Sequence, residues 1–173
     1  MQGSARGDAE EARDAERHVL GMLLLDRAAD LYAKLPEEMK TPERAVEVPL
    51  LRARSLAEES RPDQALALLK TLQPSPIVNR LRADIAWHAG YWDDAADALE
   101  DVIFDSDISL TRPLEEENKN LILQRTVALN LAGDRVALAA MREKYNDAMA
   151  QTDKARVFEV ITRPRQSAAL ADR

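Results

Sequence analysis

The stretch LRADIAWHAGYWDDAADALEDVI, residues 81–103, decides the fold, because two readings compete for it. Its histidine and carboxylates could form a catalytic or metal cluster, or they could flank the bend of a helical hairpin. Ile77, Leu81, Ile85 and Ala89 recur every fourth residue, which is helical spacing. Gly90 then supplies the left-handed residue that closes such a helix without a Cβ clash. Asp93 and Asp94 follow at the positive end of a second helix, and Trp92, Ala95, Ala96, Leu99, Val102 and Ile103 form its apolar face. A hairpin explains every residue of the stretch.

The chemical reading explains fewer. Ligands on a helix need i, i+4 spacing on an unbroken turn, and Gly90 separates His88 from Asp93 and Asp94. The other histidine, His18, is remote in sequence and has no paired ligand. Asp93 and Asp97 share a face, but nothing around them would raise a carboxyl pKa for glycoside chemistry. There is no phosphate-binding glycine loop, nucleophile elbow or dinucleotide fingerprint. A non-enzymatic chain without cofactor or metal is expected, with a hydrolase or metal site at His88, Asp93 and Asp94 as the remote alternative.

The rest of the chain agrees with helices. Its 173 residues hold five glycines, 4% aromatics and no cysteine, so disulfides and thiolate metal sites are excluded. Helix formers dominate, which predicts an all-α protein of about seven to eight helices. The formal charge of −7 argues against nucleic acid as a partner. Acidic residues crowd 93–117, read either as a solvated face or as a surface for a basic partner. The longest apolar run, Val19–Leu25, is too short to span a bilayer, so no membrane insertion is expected. Residues 1–7 read as a cloning remnant or a disordered start, and 164–173 as a loose basic tail. A soluble chain follows, cytoplasmic by default, with a periplasmic location left open.

Between those ends, residues 8–163 read as one helical-repeat domain. A first helix over 8–35 carries apolar stripes on two sides. A second, over 43–59, contains Pro49, which should kink or split it. Ser60 is placed as the N-cap of a third helix, with Asp63 as its capping-box partner, and Pro74 and Pro76 as its stop. After the hairpin and a loop at 105–112, a helix opens near Pro113 with Thr111 as its cap and runs to Ala132. Gly133 bends it into a partner helix. A last helix runs from Thr152 or Asp153 to Thr162.

Aligning the bends exposes a repeat. Residues 52–72, 81–103 and 125–145 each read as helix, short bend and helix, spaced by 30 and then 43 residues. The middle unit, clearest over 77–107, resembles the tetratricopeptide repeat. Gly90 falls on that motif's bend glycine, Trp92 on its aromatic, Ala83 and Ala95 on its small residues, and Leu99 on its later apolar position. Ala53 and Ala65 keep the pattern in the first unit, and Gly133 keeps it in the third. Asn79 and Ala86 replace the motif's first-helix aromatics, and Asp107 replaces its closing proline.

The resemblance implies stacked helix hairpins, an α-solenoid, whose first helices line a concave groove for a peptide or protein partner. Carried over by position, that groove takes Leu50 and Arg54 from the first unit and Arg80, Asp84 and Trp87 from the second. Leu123, Val127 and Asn130 come from the third. Trp87 is either a partner-binding anchor or core packing against the next hairpin. Self-association stays open, and a structural segment of a longer helical array is the alternative to a binding module.

Overall fold

The structure, a computed structural model, describes residues 42–163 together with Leu23, Arg27 and Lys34. Apart from those three residues, the helix expected over 8–35 lies outside the described residues, as does the tail at 164–173. Within them the protein is all-α: α1 (Pro42–Glu58), α2 (Pro62–Lys70), α3 (Pro76–Ala89), α4 (Trp92–Asp105), α5 (Glu116–Ala132), α6 (Arg135–Ala150) and α7 (Ala155–Thr162). No strand occurs among the described residues. The chain divides into two compact units, residues 1–73 and 74–173.

In the first unit α1 packs on α2. The helix α1 is continuous through Pro49, neither split nor ended there. Proline forfeits one ladder bond, but Leu50, Ala53 and Leu56 bury a stripe straight across the site. Apolar burial at three positions outweighs the single lost bond.

The bend after α1 corrects the expectation for Ser60. Ser60 does not cap α2; Arg61 holds that position, without a side-chain cap. Ser60 instead has φ 60°, in the left-handed region. Its N–H donates to Ala57 O at 3.1 Å, and the Arg61 N–H donates to Leu56 O at 2.9 Å. That pair of bonds is the Schellman ending of a helix, usually made by glycine.

The Gly90 bend repeats this arrangement, and the Gly133 bend shares its left-handed residue and its wider bond. Gly90 has φ 73° and Gly133 has φ 81°. The residue after each closes the same wide loop, Tyr91 N–H to Ala86 O at 2.9 Å and Asp134 N–H to Leu129 O at 3.0 Å. Four residues before the left-handed position stand Leu56, Ala86 and Leu129; five after it stand Ala65, Ala95 and Leu138; all are buried. Seven before it lie Ala53, Ala83 and Thr126, also buried. The same spacing of buried residues thus surrounds each of the three bends.

The second unit builds on α3 and α4. Pro76 begins α3 rather than stopping α2, which ends at Lys70. Ser75 is the N-cap, and Pro76 suits the first turn because its missing N–H would have had no helical partner. Ala86, Ala95 and Ala98 are fully buried, and small side chains allow helices to approach closely. The helix α5 packs on α4, α6 packs on α5, and α7 packs on both α5 and α6. Tyr145, Phe158, Met141, Met149 and Ile122 fill this end of the core. The buried Thr126 hydroxyl donates to Ile122 O at 2.7 Å, so its burial leaves no stranded donor.

Two departures from the repeat motif have structural roles. Asn79, 4% exposed, donates through Nδ2 to Asp105 Oδ2 at 3.0 Å and ties the start of α3 to the end of α4. Asp107 adopts φ 44° just beyond α4. Thr111 does not cap α5: Glu115 is its N-cap, and no side chain caps that helix. The last helix starts later than expected, with Lys154 at its N-cap.

Candidate functional site

A groove of about 490 Å³ opens on the second unit between α3, α4 and α5. Arg80, Asp84 and Trp87 line it, at i, i+4 and i+7 on α3, so one helix face presents all three. Leu99 and Val102 of α4 and Leu121 of α5 contribute its buried apolar wall. Ala83, Gln124 and His88 complete the lining.

Trp87 is half-buried and meets Trp92 edge to face, with ring centroids 5.5 Å apart at an interplanar angle of 85°. That geometry favours the positive ring edge of one indole against the negative face of the other. Trp92 also lies near the Gly90 bend, 3.7 Å from where a Cβ would stand. Trp92 thus braces Trp87 from just beyond the bend. The question left open in the sequence has a mixed answer: one side of Trp87 is packed within its own hairpin, and part of it faces the groove.

Charged groups rim the opening. Arg80 Nη2 lies 2.6 Å from Glu117 Oε1, an exposed pair joining α3 to α5. His88 Nδ1 lies 2.8 Å from the Asp84 carbonyl oxygen and 3.3 Å from Asp84 Oδ1. A carbonyl can only accept, so this contact places a hydrogen on Nδ1. Two further pairs hold the walls together, Arg125 to Glu100 at 2.8 Å and Arg82 to Asp101 at 3.2 Å.

His88 is therefore engaged with Asp84, one turn earlier on its own helix. Asp93 and Asp94 sit in the first turn of α4, where a helix dipole favours negative charge. Among the described residues no group of three histidines or carboxylates is placed to hold a metal ion.

The remaining groove residues are distributed differently. Leu50 is buried and Arg54 exposed on α1, in the first unit. Leu123 and Val127 are half-buried on α5, and the groove uses Leu121 and Gln124 of that helix instead. Asn130 lines another cavity, beside α6 and α7. Apolar residues run almost right round α5 (Leu121, Ile122, Leu123, Val127, Ala128, Leu129, Leu131), so periodicity offers no single face from which to choose its phase. The i, i+3 pair Leu121 and Gln124 was visible only as one of several possible faces.

Compared with family models, curated proteins and solved structures, the chain has no match in any of the three. No helix among the described residues is long and apolar enough to cross a membrane.

Proposed function

We propose that this protein is a tetratricopeptide-repeat-like interaction module that holds a peptide segment of a protein partner in the groove around Trp87. The observation carrying this reading is a tryptophan braced by a second indole while still partly exposed over an apolar wall. Tryptophan truncations are among the costliest at protein interfaces, and a pre-positioned ring loses little freedom on binding. The groove volume is also within the range of about 300–1,000 Å³ common to binding clefts. Arg80, Asp84 and His88 beside Trp87 on α3 favour an apolar or aromatic anchor flanked by charged residues. Stacking of the hairpins into a solenoid belongs to the same proposal, and the shared geometry of the three bends supports it.

Selection of displayed peptides against the whole chain tests the reading, with Trp87→Ala as the counter-selected variant. Enriched peptides should shift tryptophan emission on binding and lose at least about tenfold in affinity to Trp87→Ala. Gln124→Arg, which crowds the opposite rim, should weaken the same peptides. Thermal unfolding by circular dichroism checks that both variants remain folded. No enrichment, or equal binding to Trp87→Ala, would exclude the groove.

A further inference from the structure

A separate cavity of about 580 Å³ lies between α6 and α7. Arg135 and Arg142 border it from α6, and Arg163 borders it just past α7. Seven residues apart, Arg135 and Arg142 lie on one face about 10 Å from each other along the axis. Leu138, Val160 and Ile161 supply an apolar lining between these cations. Three guanidiniums around one cavity stand out in a chain of charge −7.

The three arginines are not equally engaged. Arg163 Nη2 is 2.8 Å from Glu159 Oε1, one turn earlier on α7. Arg142 is half-buried and near enough to Glu159 to help hold that carboxyl below its ordinary pKa, yet its Nη1 is shielded from solvent with no hydrogen-bond partner. A buried guanidinium N–H without an acceptor is costly, and an incoming carboxylate would satisfy it with a charge-assisted bond. The ligand's chemistry follows from the lining. A phosphate dianion would be poorly solvated beside Leu138 and Val160, and the Glu159 carboxylate paired with Arg163 would repel it more strongly than it would a single charge. A monoanion with an apolar body is opposed least on both counts.

We propose that this cavity binds a small organic carboxylate, with Arg142 donating to the carboxyl group and Leu138, Val160 and Ile161 covering its hydrocarbon part. Arg135 adds long-range attraction from the exposed end of the same face.

The full chain, labelled with nitrogen-15, is titrated with 4-phenylbutyrate, with the neutral 4-phenylbutyramide and with inorganic phosphate. The acid should shift amide signals of residues 135–163 and bind at least about tenfold more tightly than the amide. Phosphate should leave those signals unchanged. Arg142→Gln should lose at least about tenfold in affinity, and Arg142→Lys should lose less, because it keeps the charge but not the fork. Arg135→Gln should weaken binding mildly, with an effect that fades in salt. Because acid and amide are compared on the unaltered protein, the test does not depend on any variant folding. Equal binding of acid and amide would leave only an apolar cavity, and equal binding of phosphate only a general anion site. No shift up to about 10 mM, a free energy near −3 kcal/mol, would also overturn the proposal.

Discussion

The bends at Ser60 and Gly90 make the same hydrogen bonds with different residues. Ser60 N–H to Ala57 O and Gly90 N–H to Trp87 O are both 3.1 Å, and the wider bonds that follow are both 2.9 Å. Only Gly90 is free of the left-handed penalty, about 1–2 kcal/mol for a residue carrying a Cβ. The serine bend forms regardless, because Leu56 before it and Ala65 after it bury on the same schedule as Ala86 and Ala95. Flanking burial, rather than glycine, sets the bend.

The largest expected effect tests that equivalence in the core. Leu69 and Leu99 each lie nine residues past the left-handed position, 1% and 4% exposed. Leu69→Ala and Leu99→Ala should each cost about 2–5 kcal/mol, read by hydrogen exchange on the amides of the affected hairpin. If one substitution is nearly neutral while the other unfolds its unit, the two hairpins are not equivalent.

An intermediate effect comes from exchanging the bend residues. Gly90→Ala should cost about 1–2 kcal/mol through the backbone alone, since its Cβ would have ordinary room against Trp92. Ser60→Gly should gain less than about 1 kcal/mol, because glycine's larger unfolded-state entropy offsets part of the relief. Thermal unfolding of both variants decides the matter, and a loss of stability in Ser60→Gly would show that its side chain contributes to the bend.

The smallest effect concerns surface charge. The amines of Lys119 and Lys154 hydrogen-bond the Glu116 carboxylate at the start of α5 and lower its pKa from 4.5 to about 2. A carboxyl depressed on folding adds stability above pH about 4.5 and loses it as pH falls through about 2. Melting temperatures of the wild type and Glu116→Gln should therefore differ at neutral pH and converge in acid. The difference should stay well below that of Leu99→Ala, because exposed ion pairs are screened. A comparable effect would mean that charge, not burial, governs the hairpins.

Much of this architecture was legible in the residues. Periodicity located the helices, and Gly90 and Gly133 marked their bends, since a left-handed position strongly favours glycine. Ser60 misled for the opposite reason: serine is a common N-cap, and with Pro62 and Asp63 after it the local signal favoured a helix start. Pro76 misled similarly, because a proline that stops one helix is chemically the same as one that opens the next. Half of the groove was legible. Arg80, Asp84 and Trp87 share a face by spacing alone, whereas the contribution of α5 depended on a rotation its near-uniform apolar surface does not encode.

Short-range chemistry thus determined the helical class, the hairpin bends and the face bearing Trp87, because propensity, capping and periodicity act within a few residues. Packing decided the rest. Pro49 is absorbed by the burial around it, α5 turns Leu121 and Gln124 toward the groove, and Trp87 is held by an indole five residues away across a bend. Each of these depends on contacts between helices, whose energy is shared among many side chains and is written in no single segment.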